Sequence, residues 1–332
     1  MARGDSLKRR DFLTLLGGSA AWPMTVRAQN AALPVVGFLH SRGQEDATHI
    51  AGGFRRGLRD AGFIDGQNIR VEYRWARGHY EQLPALAQEL ASIPASVIVA
   101  GGGSPAALAA KSASSMIPIV FVMSADPVKL GLAESINRPG ANVTGINIYA
   151  TVLDPKRLSL LHDLIPTAST IGFLVNASFP PSLQQISSAE AAARGMGLRI
   201  DVLRASSEQE IYAAFESFGK NNIRALAVAS SPYFDDHRTR IVDLAARYSI
   251  PTIYHFREYA VAGGLVSYGV DIVDAYRQMA IYVSQILKGA KVSELPILDA
   301  TKFDLVINLK TAKALGLTIP SGVLAIADDV IE

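Results

Sequence analysis

From residue 35 onward, short continuous apolar runs alternate with amphipathic stretches. Val35-Val36-Gly37-Phe38-Leu39 predicts a buried strand. Ile50 to Ala61 predicts a helix with Ile50, Phe54 and Leu58 on one face, and Ile69 to Trp75 an alternating strand. Tyr80 to Leu90 reads as helix, Ser96 to Ala100 as buried strand, Pro105 to Lys111 as helix and Ile117 to Val122 as another buried strand. The rhythm then restarts. A helix over Leu153 to Leu164 ends before Pro166, and Ile171-Gly172-Phe173-Leu174-Val175 echoes the first strand. Helix 181–195, strand 198–203, helix 207–219, strand 223–229, helix 235–248 and strand 250–254 follow. Gly263 and Gly264 lead into strand Leu265 to Tyr268 and helix 272–288, and strand Phe303 to Ile307 and helix Leu309 to Leu315 come last.

Apolar strands without alternation need cover on both faces, which a parallel sheet flanked by helices provides. The fold class expected is α/β. The order βαβαβαβ occurs twice, with a break near Ala150–Asp154, and so predicts two doubly wound parallel-sheet lobes of similar build. The late elements are too few for a third domain and are expected to return to both lobes, crossing a hinge more than once. The division expected is 33–149 plus 273–300 for one lobe and 150–272 plus 301–332 for the other.

The first 28 residues have another character. Lys8-Arg9-Arg10 precedes an apolar stretch from Phe12 to Ala21, and Val26-Arg27-Ala28 offers a small-residue cleavage site. That is the layout of a secretory signal peptide, and the arginine pair before Phe12 and Leu13 resembles a twin-arginine export signal; an ordinary secretory signal is the plainer alternative. Removing residues 1–28 takes away five basic residues (Arg3, Lys8, Arg9, Arg10, Arg27) and two acidic ones (Asp5, Asp11). The formal net charge of +2 then becomes −1. A near-neutral mature protein offers no electrostatic case for nucleic acid. The chain has no cysteine, so it has no disulfide, thiolate metal site, cysteine nucleophile or lipid anchor on a cysteine after the cut. A soluble, monomeric protein of the periplasm is expected, with no membrane anchor.

In open α/β sheets ligands bind beyond the carboxyl ends of the strands, so the candidates sit there. They are His40 and Ser41 after the first strand, Gly103 and Ser104 in Gly101-Gly102-Gly103-Ser104-Pro105, and Ser124 and Asp126 before Pro127. The second half contributes Asn176, Ser230 and Tyr233, Phe256, and Tyr268 with Asp271. The glycine run is either a plain strand-to-helix turn or a cradle that brings an anion to a helix N-terminus. Asp126 either caps a helix or receives an ammonium; with the glycines it would suit a zwitterion. His40 and His255 face the cleft or are structural, and Tyr233, Phe256 and Tyr268 stack on a ligand or belong to core and rim. Gly101-x-Gly103-x-x-Ala106 with Asp126 fits a loose dinucleotide fingerprint, but it follows the third strand rather than the first. No Gly-x-Ser-x-Gly elbow occurs, and His40, His49, His79, His162, His237 and His255 show no metal-ligand spacing. No enzyme, cofactor or metal is expected.

Five segments together are specific: Arg9 to Gly18, Val99 to Ala107, Asp126 to Leu132, Asn137 to Gly145 and Val306 to Leu317. Through them the whole chain resembles the ABC-type substrate-binding proteins of the tryptophan/phenylalanine-binding group, which have a type I periplasmic-binding fold. The resemblance implies two lobes joined by three crossings with a small-molecule ligand clamped between them. It also implies delivery to an ABC permease driven by a separate ATPase subunit, and ligand positions at Ser104, Asp126, Asn176 and Asp271. The solute expected is an amino acid or related carboxylate. The rival readings are a periplasmic sensor that presents its ligand to a receptor and an exported α/β enzyme.

Overall fold

The computed structural model describes Met1, residues 33–148, Ala150 and residues 152–332. The expected export signal, with Arg9 and Arg10, lies outside the described residues. The first half runs β1 (Val35–His40), α1 (Thr48–Asp60), β2 (Arg70–Trp75), α2 (Leu83–Ser92), β3 (Ala95–Gly101), α3 (Ser104–Ala113), β4 (Ile119–Met123) and β5 (Val143–Asn147). The second runs α4 (Asp154–Leu164), β6 (Thr170–Val175), α5 (Ser182–Gly195), β7 (Arg199–Arg204), α6 (Glu208–Glu216), α7 (Phe218–Asn221), β8 (Ala225–Val228), α8 (Pro232–Asp236), α9 (Arg238–Arg247), β9 (Thr252–Tyr254), α10 (Arg257–Val261) and β10 (Val266–Val270). The chain closes with α11 (Ile272–Leu287), β11 (Leu298–Asp299), β12 (Phe303–Asn308), α12 (Leu309–Ala314), α13 (Ser321–Leu324) and β13 (Asp329–Ile331).

The strands form two sheets, ordered β11-β5-β4-β3-β1-β2 and β13-β12-β10-β9-β8-β6-β7. Each contains the same winding, β2-β1-β3-β4-β5 in one and β7-β6-β8-β9-β10 in the other, a doubly wound order whose switch point lies beside its first strand. All pairings are parallel except β10 with β12. β1 and β6 are central and buried along their whole length, whereas the outer strands β2 and β7 are mostly half-exposed. That is why the central strands read as unbroken apolar runs and Ile69 to Trp75 alternates. The chain passes from the first sheet to the second after β5, returns through Asp271 into α11, and passes over again between β11 and β12. α11 lies on the first sheet, close against α1. A Cβ at Gly53 or Gly57 would fall on the backbone carbonyls of Val273 and Arg277, so glycine is what lets the two helices approach.

Several boundaries differ from expectation, and β5, β11, α10, α13 and β13 were not expected. Val143-Thr144-Gly145-Ile146-Asn147 has too few apolar residues to announce a strand. It is recruited by pairing with β4 on one side and β11 on the other. A Cβ at Gly145 would fall on Phe121, so the glycine admits that ring. The expected helix 207–219 breaks at Ser217, whose hydroxyl donates to the Ala214 carbonyl. The expected helix 235–248 begins instead at Pro232 and breaks at His237. No regular helix starts at Pro127: Asp126 begins an isolated turn, its carbonyl accepting from Leu130 N–H.

Candidate functional site

The two sheets point the carboxyl ends of their central strands at each other, and the space between them is the candidate site. Its free interior is about 30 Å³, so the lobes nearly fill the space between them. From the first lobe it is lined by His40 and Arg42 after β1, Gly102 and Gly103 after β3, Ser124 after β4, and Tyr276 of α11. From the second it is lined by Phe179, Ser230, Asp235 and Phe256, which follow β6, β8 and β9. Both switch points thus open onto one cavity. The apolar share of the wall includes Ile50, Ile148 and Ile272.

Arg42 and Asp235 are both buried and form an ion pair across the lobes. Asp235 also accepts from His255 Nε2 at 2.7 Å and from the Tyr259 hydroxyl at 3.1 Å. Burial would push the Asp235 carboxyl up, but Arg42, His255 and Tyr259 outweigh it and hold it down at about 2. The guanidinium lies 5.6 Å from the centre of the Phe256 ring. Its Nε is shut from solvent and has no partner among the described residues. The cavity therefore presents one fixed cation and one fixed anion inside an apolar wall.

On the first lobe, His40 Nδ1 accepts from the Arg42 backbone N–H at 3.0 Å, and His40 Nε2 lies 2.9 Å from Tyr276 Oη. The Gly102 N–H also donates to Tyr276 Oη, at 2.9 Å. A Cβ at Gly101 would fall on that hydroxyl and the His40 ring. Part of the glycine run therefore exists to admit the tip of Tyr276. Burial, with Arg42 beside it, pushes His40 well below its usual pKa, so the ring is neutral.

Of the candidates read from sequence, His40, Gly103, Ser124, Ser230 and Phe256 line the cavity. Ser41 and Ser104 are buried beside it, each hydroxyl shut from solvent and without a partner among the described residues. The other five do different work. The Asp126 carboxylate accepts from Val128 N–H and Lys129 N–H at 2.9 and 3.1 Å, so it caps its turn and stands outside the cavity wall. Asn176 donates to Ser231 Oγ and accepts from Ser178 N–H, which shapes the loop that carries Phe179. The Tyr233 ring packs on His237, and Tyr268 stacks on Phe303 of β12. Asp271 caps α11 through Asp274 N–H and pairs with Lys302 at 2.6 Å. In each case another residue of the fold has claimed the polar or aromatic group. Arg42, Asp235 and Tyr276 were absent from the sequence candidates. Arg42 directly follows His40-Ser41 and stands at the same strand end; Asp235 and Tyr276 lie inside helices, where no local signal marks a cleft.

The mouth of the cleft is closed by further contacts between lobes. Arg238 meets Asp46 at 2.9 Å, His49 meets Glu258 at 2.8 Å, and Tyr80 Oη accepts from the Tyr233 N–H at 3.1 Å. Beside them both carboxylate oxygens of Asp236 are shut from solvent. Burial pushes Asp236 up to about 8; Arg42 pulls it down, and Asp46 and Asp235 push it further up. The folded protein therefore holds a proton that the unfolded chain releases near pH ~4. Stability falls as pH rises between those values and levels off above them. Asp236→Asn is expected to flatten this slope and raise the melting temperature most at about pH 8. Melting curves of mutant and native protein that run parallel with pH would remove Asp236 as the source.

The match to known proteins covers nearly all of the described chain. A family model described as ABC transporter substrate binding protein matches residues 43–331. A tyrosine-binding protein of Clostridioides difficile is 28% identical over 264 residues, covering 79% of this chain and 75% of that protein. The chain is similar to the solved ABC domain from Streptococcus pneumonia in complex with L-Trp, with a TM-score of 0.79 and 25% identity, over 89% of this chain and 100% of that one. It is also similar, at a TM-score of 0.67 and 25% identity over 90% and 99%, to the ligand-free, open structure of a substrate-binding protein with adhesive properties from Clostridium difficile.

Proposed function

The chain belongs to the family of ABC transporter substrate-binding proteins, and on that premise we propose that it is the binding component of an importer for a small amino acid or related zwitterion. One observation carries this reading: a cavity walled by both lobes that holds a buried guanidinium and a buried carboxylate, Arg42 and Asp235. A zwitterion meets both charges at once, its carboxylate at Arg42 and its ammonium at Asp235, and replaces an interaction between lobes with one that passes through the ligand. Phe179 and Phe256 supply an apolar wall for a side chain. The relatives support the class of ligand, since one is named for tyrosine and another is solved with L-Trp. The protein works outside the cytoplasm, binds without chemistry, and offers its closed form to an ABC permease driven by a separate ATPase subunit. The lobe boundaries expected from sequence, 33–149 plus 273–300 and 150–272 plus 301–332, are the moving bodies.

A panel of the twenty L-amino acids in thermal melts tests this, because a ligand at about a hundred times its Kd stabilises by about 2.7 kcal/mol. Trp75, the one tryptophan beyond the first 32 residues, has its ring 5.5 Å from the ring of the cavity residue His40. Its emission is expected to shift with the ligand, and small-angle scattering to show a smaller radius at the same saturating concentration. A tight ligand that left the radius unchanged would sink the clamp. No stabilisation by any member of the panel would sink the amino-acid reading.

A further inference from the structure

The hydroxyl of Tyr276 is buried at the cavity wall, and the two hydrogen bonds around it determine which way its hydrogen faces. His40 Nδ1 accepts from the Arg42 N–H, so that nitrogen carries no proton. The ring is neutral, held so by burial and by the neighbouring guanidinium, so its single N–H is on Nε2. Nε2 then donates to Tyr276 Oη, and the Gly102 N–H donates to the same oxygen. Both acceptor positions of the phenol are filled by donors. Its own hydrogen has no acceptor among the described residues, and burial keeps the phenol protonated by raising its pKa.

Resting on the reading of this cavity as an amino-acid site, we infer that Tyr276 selects the acid end of the ligand: its O–H, turned outward by His40 and Gly102, donates to a carboxylate oxygen beside Arg42. Three features make the arrangement directional. The two donors behind Oη polarise the O–H and strengthen the bond it gives. Arg42 Nε, also buried and without a partner among the described residues, supplies the second donor that a two-oxygen group requires. An ammonium or amide N–H presented at this point would meet only donors, so the same residues reject the reversed orientation and ligands that lack the acid. Gly101 is part of the device, since any side chain there would displace the phenol from between its two donors.

The test compares one ligand with its own decarboxylated form. Calorimetry is run with the tightest binder among the twenty L-amino acids and with the corresponding amine, on native protein and on Tyr276→Phe. A hydrogen bond to a charged group corresponds to roughly a tenfold to hundredfold change in affinity. Tyr276→Phe is expected to weaken the amino acid by that factor and to leave the amine within about twofold of its native value, narrowing the discrimination between them. Equal losses for acid and amine, or no loss for the acid, would overturn the inference by making the phenol a packing element. Nitrogen-15 spectra of unliganded native protein, with His40 assigned by comparison with His40→Gln, give a second test that does not depend on how the phenylalanine variant folds. A neutral ring with its proton on Nε2 from about pH 5 to 8 is expected. A proton on Nδ1 with Nε2 bare would make Tyr276 the donor to His40 and overturn the inference. Failure of every amino acid to bind the native protein would overturn the reading of the cavity itself, a result distinct from both.

Discussion

Arg42→Met is expected to weaken amino-acid binding by at least a hundredfold, on the order of 3 kcal/mol or more. Truncating one partner of a buried, hydrogen-bonded charge pair costs about 2–5 kcal/mol, and here the ligand loses its counter-charge as well. The same change leaves Asp235 charged and buried with only His255 and Tyr259 to answer it, so the protein without ligand also loses stability. A second substitution separates the two effects. Well-packed apolar residues in place of both members of a buried pair are often neutral or stabilising. Arg42→Met with Asp235→Leu is therefore expected to recover most of the melting temperature and none of the binding. Recovery of binding in the double variant would dismiss the pair from recognition. Acid behaviour supplies a further check. The Asp235 carboxyl is held below its unfolded value, at about 2. Its contribution is complete above pH ~4 and is lost as pH falls toward about 2. That acid limb is expected to be absent from melts of the double variant.

Arg157→Ala is expected to cost about 3–5 kcal/mol of stability, the range for breaking a buried pair by removing one partner. In a chain of this size that is a fall in melting temperature on the order of 10 °C. Arg157 of α4 is among the largest fully buried side chains. It donates to Asp154 Oδ1 at 2.7 Å, to the Ala150 carbonyl, and to the Tyr268 carbonyl at 3.2 Å. The first carbonyl belongs to the first crossing between the sheets and the second to β10, just ahead of the return crossing, so one guanidinium pins two crossings together. Its loss strands a carboxyl that burial already pushes above its usual pKa against the opposing charge of Arg157. Arg157→Ala with Asp154→Asn is expected to restore part of the loss, because the amide carries no charge to strand. If the single variant melts with the native protein, the crossings are held by packing alone.

The alternation of apolar runs and amphipathic helices was enough to read two doubly wound lobes, because a strand buried on both faces leaves a continuous apolar signature that no neighbour needs to supply. β1, β3, β4 and β6 were legible for that reason. β5 was not, since Val143-Thr144-Gly145-Ile146-Asn147 becomes a strand only between β4 and β11. The strand-end rule named five residues that line this cavity, His40, Gly103, Ser124, Ser230 and Phe256. It also named polar residues that have a use within a few positions of themselves. Asp126 and Asn176 bond backbone amides two or three residues on, and such local bonds look the same in sequence as a ligand contact.

What the sequence by itself determined is the sheet architecture, its repetition and the edge of each sheet that faces the cleft, all set by the period of burial along the chain. The tertiary structure alone decided the chemistry of the cavity. Arg42 and Asp235 are 193 positions apart, and His40 and Tyr276 are 236 apart. The first pair takes one member from each lobe; the second takes one from the end of β1 and one from a helix that reaches the first sheet only after the chain has built most of the second. A charge is tolerable in an apolar wall only when its partner is delivered across space, and no periodicity along the chain records which partner that will be.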